Sequence, residues 1–168
     1  DFLDRDDQKA VEQIYRIAEE TAKHHLFLNL HGVYKPTGLN RTFPHIINFE
    51  GVFGMEEAKW STKEKDMPTY DVTFPFIRMM SGPVDFTPGA MINASQKDFQ
   101  PIYSNPMSQG TRCHQFAMYI VYDSPLTMLC DAPTRYEKEQ KYTNPLSKLP
   151  MEYEDTKILQ GKVGEFIV

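Results

Sequence analysis

Short apolar runs recur along this chain with a helical pattern between them, and each run is followed by polar residues and glycine. "DFL" opens the chain and leads to Asp4, "LFLNL" at 26–30 ends in His31-Gly32, and "HIINF" at 45–49 ends in Glu50-Gly51. From Asp7 to His24, Val11, Ile14, Tyr15, Ala18 and Ala22 recur at helical spacing, with Asp6 and Asp7 suited to the positive end of the helix dipole. Strands that alternate with helices predict parallel pairing through crossovers, an α/β architecture. In such folds the chemistry gathers at the carboxyl ends of the strands.

Further on, "FPFIRMM" at 74–80 reads as mixed helix and loop. "TRCHQFAMYIVY" at 111–122 reads as a helix with Cys113, Phe116, Ala117 and Ile120 on one side, and "GEFIV" reads as a closing strand. Three or four strands cannot close an eight-stranded barrel, so the sequence reads as a piece of a larger chain. A net charge of −5 supplies no basic stripe for a nucleic-acid backbone, and no run of eighteen apolar residues offers a membrane span. Cys113 and Cys130 fit neither a CxxC pattern nor a disulfide scaffold and read as core thiols.

Several polar residues invite a chemical reading beside a plain one. Asp4, Asp6 and Asp7 read as a helix N-terminus, with a metal site as the alternative. Asp1 precedes Phe2-Leu3 in the strand pattern and is either an end effect or an inward-pointing carboxylate. The stretch "NLHGVYKPTGLNRTFP" gathers His31, Tyr34, Lys35, Thr37, Asn40 and Arg41 after a buried strand. Such donors and an aromatic face suit a sugar, while His31 alone also fits a structural histidine. Glu50 and Glu56 flank "GVFG", whose glycines let the backbone fold so that both carboxylates face one cavity. Two close carboxylates raise each other's proton affinity or share a divalent cation; the plain alternative is a pair of solvated loop glutamates. Glu57 reads as a surface neighbour.

The series "DFLDRDDQ", "LNLHGVYKPTGLNRTFPHIINFEGVFGMEEAKW", "PFIRMMSGPVDFTPGAM" and "SPLTMLCDAP" resembles glycoside hydrolase family 97. The resemblance implies a catalytic (β/α)8 TIM barrel flanked by β-domains. Residues 1–155 would be the second half of the barrel, and 156–168 the start of a C-terminal β-domain or a connecting strand. It also implies a choice between two branches. In the inverting α-glucosidase branch a glutamate general base follows the histidine, whereas this chain has Gly32 there. The retaining α-galactosidase branch carries its nucleophile on the preceding strand, where Asp1 falls, and its acid/base at Glu56. Glu50 corresponds to a calcium ligand of the family. His31, Lys35 and Asp85 are candidate contacts to sugar hydroxyls. The implied enzyme is a retaining, exo-acting α-galactosidase, periplasmic or otherwise exported. Its partners are an oligosaccharide or α-galactoside substrate and the rest of its own barrel and β-domains; the fragment alone would be inactive. The alternatives are an inverting α-glucosidase of the same family and a non-catalytic carbohydrate-binding or scaffold fragment.

Overall fold

The computed structural model describes residues 1–61, 64–150 and 152–168. The expected first helix forms as α1, Gln8–Lys23. Asp7 caps it, its Oδ1 accepting from the amides of Lys9 at 3.0 Å and Ala10 at 3.3 Å, which satisfies donors that the helix leaves unpaired. Ala10, Ile14 and Ala18 form the buried stripe, while Tyr15 lies half out and meets Phe43 edge-on.

Strand β1, Leu28–Leu30, and strand β2, Ile46–Phe49, pair in parallel, with Asn29 opposite Asn48 and Leu30 opposite Phe49. Between them lies the one-turn helix α2, Leu39–Thr42. Ile14 and Ala18 of α1 pack with Leu30, Val33, Leu39, Ile46 and Phe49 in one apolar cluster. Burying an Ile or Phe side chain in this way contributes roughly 1.5–3 kcal/mol.

Two backbone bonds carry the neighbouring order onward from β2. The Asp85 amide donates to the Phe49 carbonyl, and the Val84 amide donates to the Asp123 carbonyl, each at 2.9 Å. Asn48, fully buried, donates to Ser124 Oγ at 2.8 Å and to the Leu126 carbonyl at 3.1 Å. The ends of β1 and β2 and the segments at 84–86 and 123–126 therefore lie side by side in chain order.

A second cluster surrounds Phe74, Phe86 and Tyr122, whose ring centroids lie 4.9–5.3 Å apart. Helix α3, Met67–Asp71, and the 3₁₀ turns Met55–Lys59 and Phe74–Phe76 feed it from one side. The short parallel pair β3, Asn93–Ala94, and β4, Ser108–Gln109, precedes helix α4, Arg112–Val121. Helices α5, Pro133–Lys138, and α6, Gln140–Leu146, follow, and an antiparallel hairpin of β5, Gly161–Lys162, and β6, Phe166–Ile167, comes last.

The structure corrects three expectations. Residues 1–3 form no strand: Phe2 and Asp4 take positive φ values of 57° and 39°, which breaks the extended path. "LFLNL" pairs only from Leu28, since Leu26 and Phe27 are exposed. Helix α4 turns a different face inward, burying Gln115 and Met118 and leaving Cys113 and Ile120 exposed. The buried glutamine sets this phase, because its Oε1 accepts from the Gly89 amide at 2.9 Å. Cys113 is thus a free surface thiol, while the half-buried Cys130 thiol is pushed up to about 12 by desolvation. No helix among the described residues is long and apolar enough to cross a membrane.

Candidate active site

His31 follows β1, Glu50 follows β2, and Asp85 follows the next segment that lies beside β2. The parallel order brings all three to one place. His31 Nε2 lies 2.7 Å from Asp85 Oδ2, and its Nδ1 lies 3.8 Å from Glu50 Oε1. Asn29, inside β1, donates to the same Asp85 oxygen at 2.6 Å. The imidazole thus sits between two acids, with its Nε2 in hydrogen-bond range of Asp85. The Asp85 side chain is 0% exposed and His31 20%, so the imidazole is the member of the pair that reaches open space. Asp85 Oδ1 and Asn29 Oδ1 are buried with no hydrogen-bond donor among the described residues.

Glu50 Oε2 accepts from the Gly32 amide at 2.7 Å, which fixes this carboxylate against the turn after β1. Gly32 itself has φ of 54°, and a Cβ there would sit 2.8 Å from the Phe2 nitrogen and 2.9 Å from Asp4 Oδ1. The Asp4 amide donates to the Gly32 carbonyl at 2.5 Å. The segment after Asp1 therefore rests on the glycine, and a larger residue at 32 would displace it. Asp1 is exposed, and its Oδ1 accepts from the amide of Phe2.

Glu56 sits in the first turn of Met55–Lys59, where the Met55 amide is held by the Phe86 carbonyl at 2.9 Å. Its side chain is 49% exposed and pairs with Lys59 at 3.3 Å. A cavity of about 200 Å³ lies among His31, Glu56, Lys59, Thr87, Met107 and Cys130. The fold thus brings His31 and Glu56 to one cavity, with Glu50 and Asp85 behind the imidazole. Lys35 is exposed and does not line that cavity. Its backbone instead lies 2.8 Å from where a Cβ on Gly51 would be. A larger cavity of about 740 Å³, lined in part by Tyr119, Tyr122, Leu146 and Tyr153, holds none of the residues singled out from the sequence. Its walls carry Asp123 and Glu152 but no histidine, whereas the smaller cavity holds both His31 and Glu56 and is the better candidate.

Glu57 is more than a surface neighbour, since its Oε2 accepts from Trp60 Nε1 at 2.5 Å and holds the indole near Tyr103. Sequence reasoning missed Asn29 and Lys59. A polar residue within a buried strand was the available signal for Asn29; a lysine one helical turn beyond Glu56 carries none. For a calcium ion, Glu50 fits as one carboxylate ligand. Calcium takes six to eight oxygens, and among the described residues no three His, Cys, Asp or Glu side chains converge to hold a metal.

The chain has relatives among known proteins. A sequence model described as Glycoside hydrolase 97 matches residues 1–52. The chain is 52% identical over all 168 residues to a retaining alpha-galactosidase of Bacteroides thetaiotaomicron, spanning 25% of that protein. The likeness to the glycoside hydrolase 97 model rests on the first 52 residues of the chain. A probable retaining alpha-galactosidase of Streptomyces bingchenggensis is 32% identical over the whole chain, which spans 24% of it. Solved structures of a family 97 enzyme from Pseudoalteromonas sp. strain K8 superpose with a TM-score of 0.84. One is in complex with panose and one with acarbose, at 31% and 32% identity, and each covers 96% of this chain and 24% of the other. The chain thus spans about a quarter of the length of the relatives it matches.

Proposed function

We propose that this chain is part of the catalytic (β/α)8 barrel of a retaining α-galactosidase that removes terminal α-galactosides by double displacement. The observation that carries the reading is the 52% identity, sustained over every residue, to a retaining alpha-galactosidase. The chain-order alignment of 30 with 50, 49 with 85 and 84 with 123 through backbone bonds supports consecutive barrel strands over residues 1–155. The β5–β6 hairpin, bonded through the Gly164 amide to the Val72 carbonyl, supports a connecting β segment after 156.

In this mechanism an Asp1 carboxylate oxygen bonds to the anomeric carbon as the glycosidic bond breaks. Glu56 gives its proton to the departing oxygen. Glu56 then takes a proton from water as that water displaces Asp1, and the sugar leaves with its configuration kept. Such a pair works at about 5–5.5 Å. His31 offers a ring N–H or lone pair to a sugar hydroxyl in the cavity. Asp85, being buried, acts on the sugar through His31. Lys35 contributes from outside this cavity, as a contact to the sugar's outer rim. Calcium, with Glu50 as one ligand and the rest supplied beyond this chain, would fix the charge beside His31; chelation that leaves melting temperature and turnover unchanged removes it.

The second reading, an inverting α-glucosidase, draws on the panose and acarbose complexes of the Pseudoalteromonas enzyme. Position 32 weighs against it. A side chain there would collide with the Phe2 backbone, so the turn that would carry an inverting base is occupied by the segment bearing Asp1.

The test uses the full-length enzyme on aryl α-galactoside and aryl α-glucoside, with the anomer of the first-formed sugar followed by NMR. An α-galactose product first, and a loss of about 10²–10⁴-fold in Glu56→Gln, are expected. A β-anomer first, or undiminished turnover in that variant, overturns the mechanism.

A further inference from the structure

Arg78 is a cation inside the apolar run "FPFIRMM", and it is only 6% exposed. Its guanidinium is spent on five main-chain carbonyls. Nε donates to Gly51 at 2.9 Å, and Nη1 donates to Gly82 at 3.0 Å. Nη2 reaches Phe49 at 3.2 Å, Glu50 at 3.3 Å and Pro83 at 2.9 Å. Three of these carbonyls belong to the turn that carries Glu50. The other two lie just before Asp85. Those are the two acids that flank His31.

We infer that Arg78 is a positioning residue of this site: its planar fork ties the Glu50 turn to the Asp85 segment and so sets the orientation of His31. The inference rests on the reading of this site as a glycosidase centre for its kinetic test, though not for its structural one. The chemistry of the fork explains the choice of residue. Five donors in one rigid plane can serve carbonyls on two separate segments, and an ammonium on a flexible stem cannot. Burial works against the charge, pulling the guanidinium down to about 10. A buried cation with carbonyl partners is an expensive way to join two loops unless their relative placement matters. The Asp85 amide also donates to the Phe49 carbonyl, so both the side chain of Arg78 and the main chain of Asp85 converge on that oxygen.

The test is Arg78→Lys in the full-length enzyme, beside Tyr142→Ala as a packing control in the separate cluster of Met91, Tyr136 and Tyr142. Both variants are assayed well below their melting temperatures. Arg78→Lys is expected to lower kcat about tenfold or more with KM changed by no more than about threefold, while Tyr142→Ala loses stability and keeps kcat. In the double variant with His31→Ala, Arg78→Lys should add no further loss, because both act through one imidazole. Crystals of Arg78→Lys should show the His31 ring displaced from its 2.7 Å contact with Asp85. An unchanged kcat, a fully additive double variant, or an undisturbed His31 each overturns the inference. If the unmodified enzyme cleaves no α-galactoside, the substrate assignment fails, and the crystallographic comparison still decides the role of Arg78.

Discussion

Among the described residues two histidines each meet a buried aspartate, and the two pairs differ in what surrounds them. His31 and Asp85 meet at 2.7 Å, with side-chain exposures of 20% and 0%. His114 and Asp71 meet at 3.0 Å, with exposures of 26% and 1%. By geometry alone either could be a catalytic dyad. The first pair, however, joins the end of β1 to the segment bonded beside β2, and its imidazole opens on a cavity shared with Glu56. The second joins α3 to the N-terminal turn of α4, beside Tyr122, whose hydroxyl donates to the Asp71 carbonyl at 2.8 Å. Neither His114 nor Asp71 lines the cavity that holds Glu56. A His–Asp contact is therefore no sign of chemistry until a third group and an opening are found beside it.

Removing the charge from each aspartate separates the two roles. Asp85→Asn in the full-length enzyme is expected to lower kcat/KM by about 10–100-fold, the value of a charge-assisted hydrogen bond that holds His31. Asp71→Asn is expected to leave kcat/KM within about twofold, since nothing it touches reaches the cavity. Steady-state kinetics on an α-galactoside compares them directly. Equal losses in both variants would mean that the two pairs act alike and that the cavity does not distinguish them.

This distinction was only half legible in the sequence. The helical spacing of Ile14 and Ala18 and the acidic cap at Asp7 specify α1 locally, and a strand followed by Glu50 can be read without the fold. Glu50 and Glu56 could be singled out because glycines flank both. The partnership of His31 with Asp85 could not, because 54 residues separate them and only the parallel order of the segments closes that gap. Gln115 is the instructive failure. Apolar periodicity alone would turn Cys113 and Ile120 inward on α4, yet a hydrogen bond to the Gly89 amide buries a glutamine instead. Arg78 hid for the same reason: an arginine in an apolar run looks like an interruption until the carbonyls it serves are in place. The first residues failed differently, since the positive φ values of Phe2 and Asp4 answer to Gly32 and not to their own side chains.

The finer difference between the pairs lies in stability against pH. Burial is the largest influence on Asp71 and raises its carboxyl above the usual range, with nearby Asp66 adding to the rise; the hydrogen bond and charge of His114 pull it back only in part. A carboxyl raised in the folded state stabilises fully below its unfolded value, and that stability is lost as pH climbs through the folded value. Asp71→Asn removes the titration but keeps an acceptor for the His114 ring. The variant should therefore melt higher than the unmodified protein near neutral pH. The gap should narrow as pH falls into the ordinary carboxylate range, where both side chains are neutral. Thermal melts of the two full-length proteins across that range measure it. A variant that melts lower at neutral pH would mean that the ion pair with His114 outweighs the cost of burying the charge, and the second pair would then be a stabilising bridge.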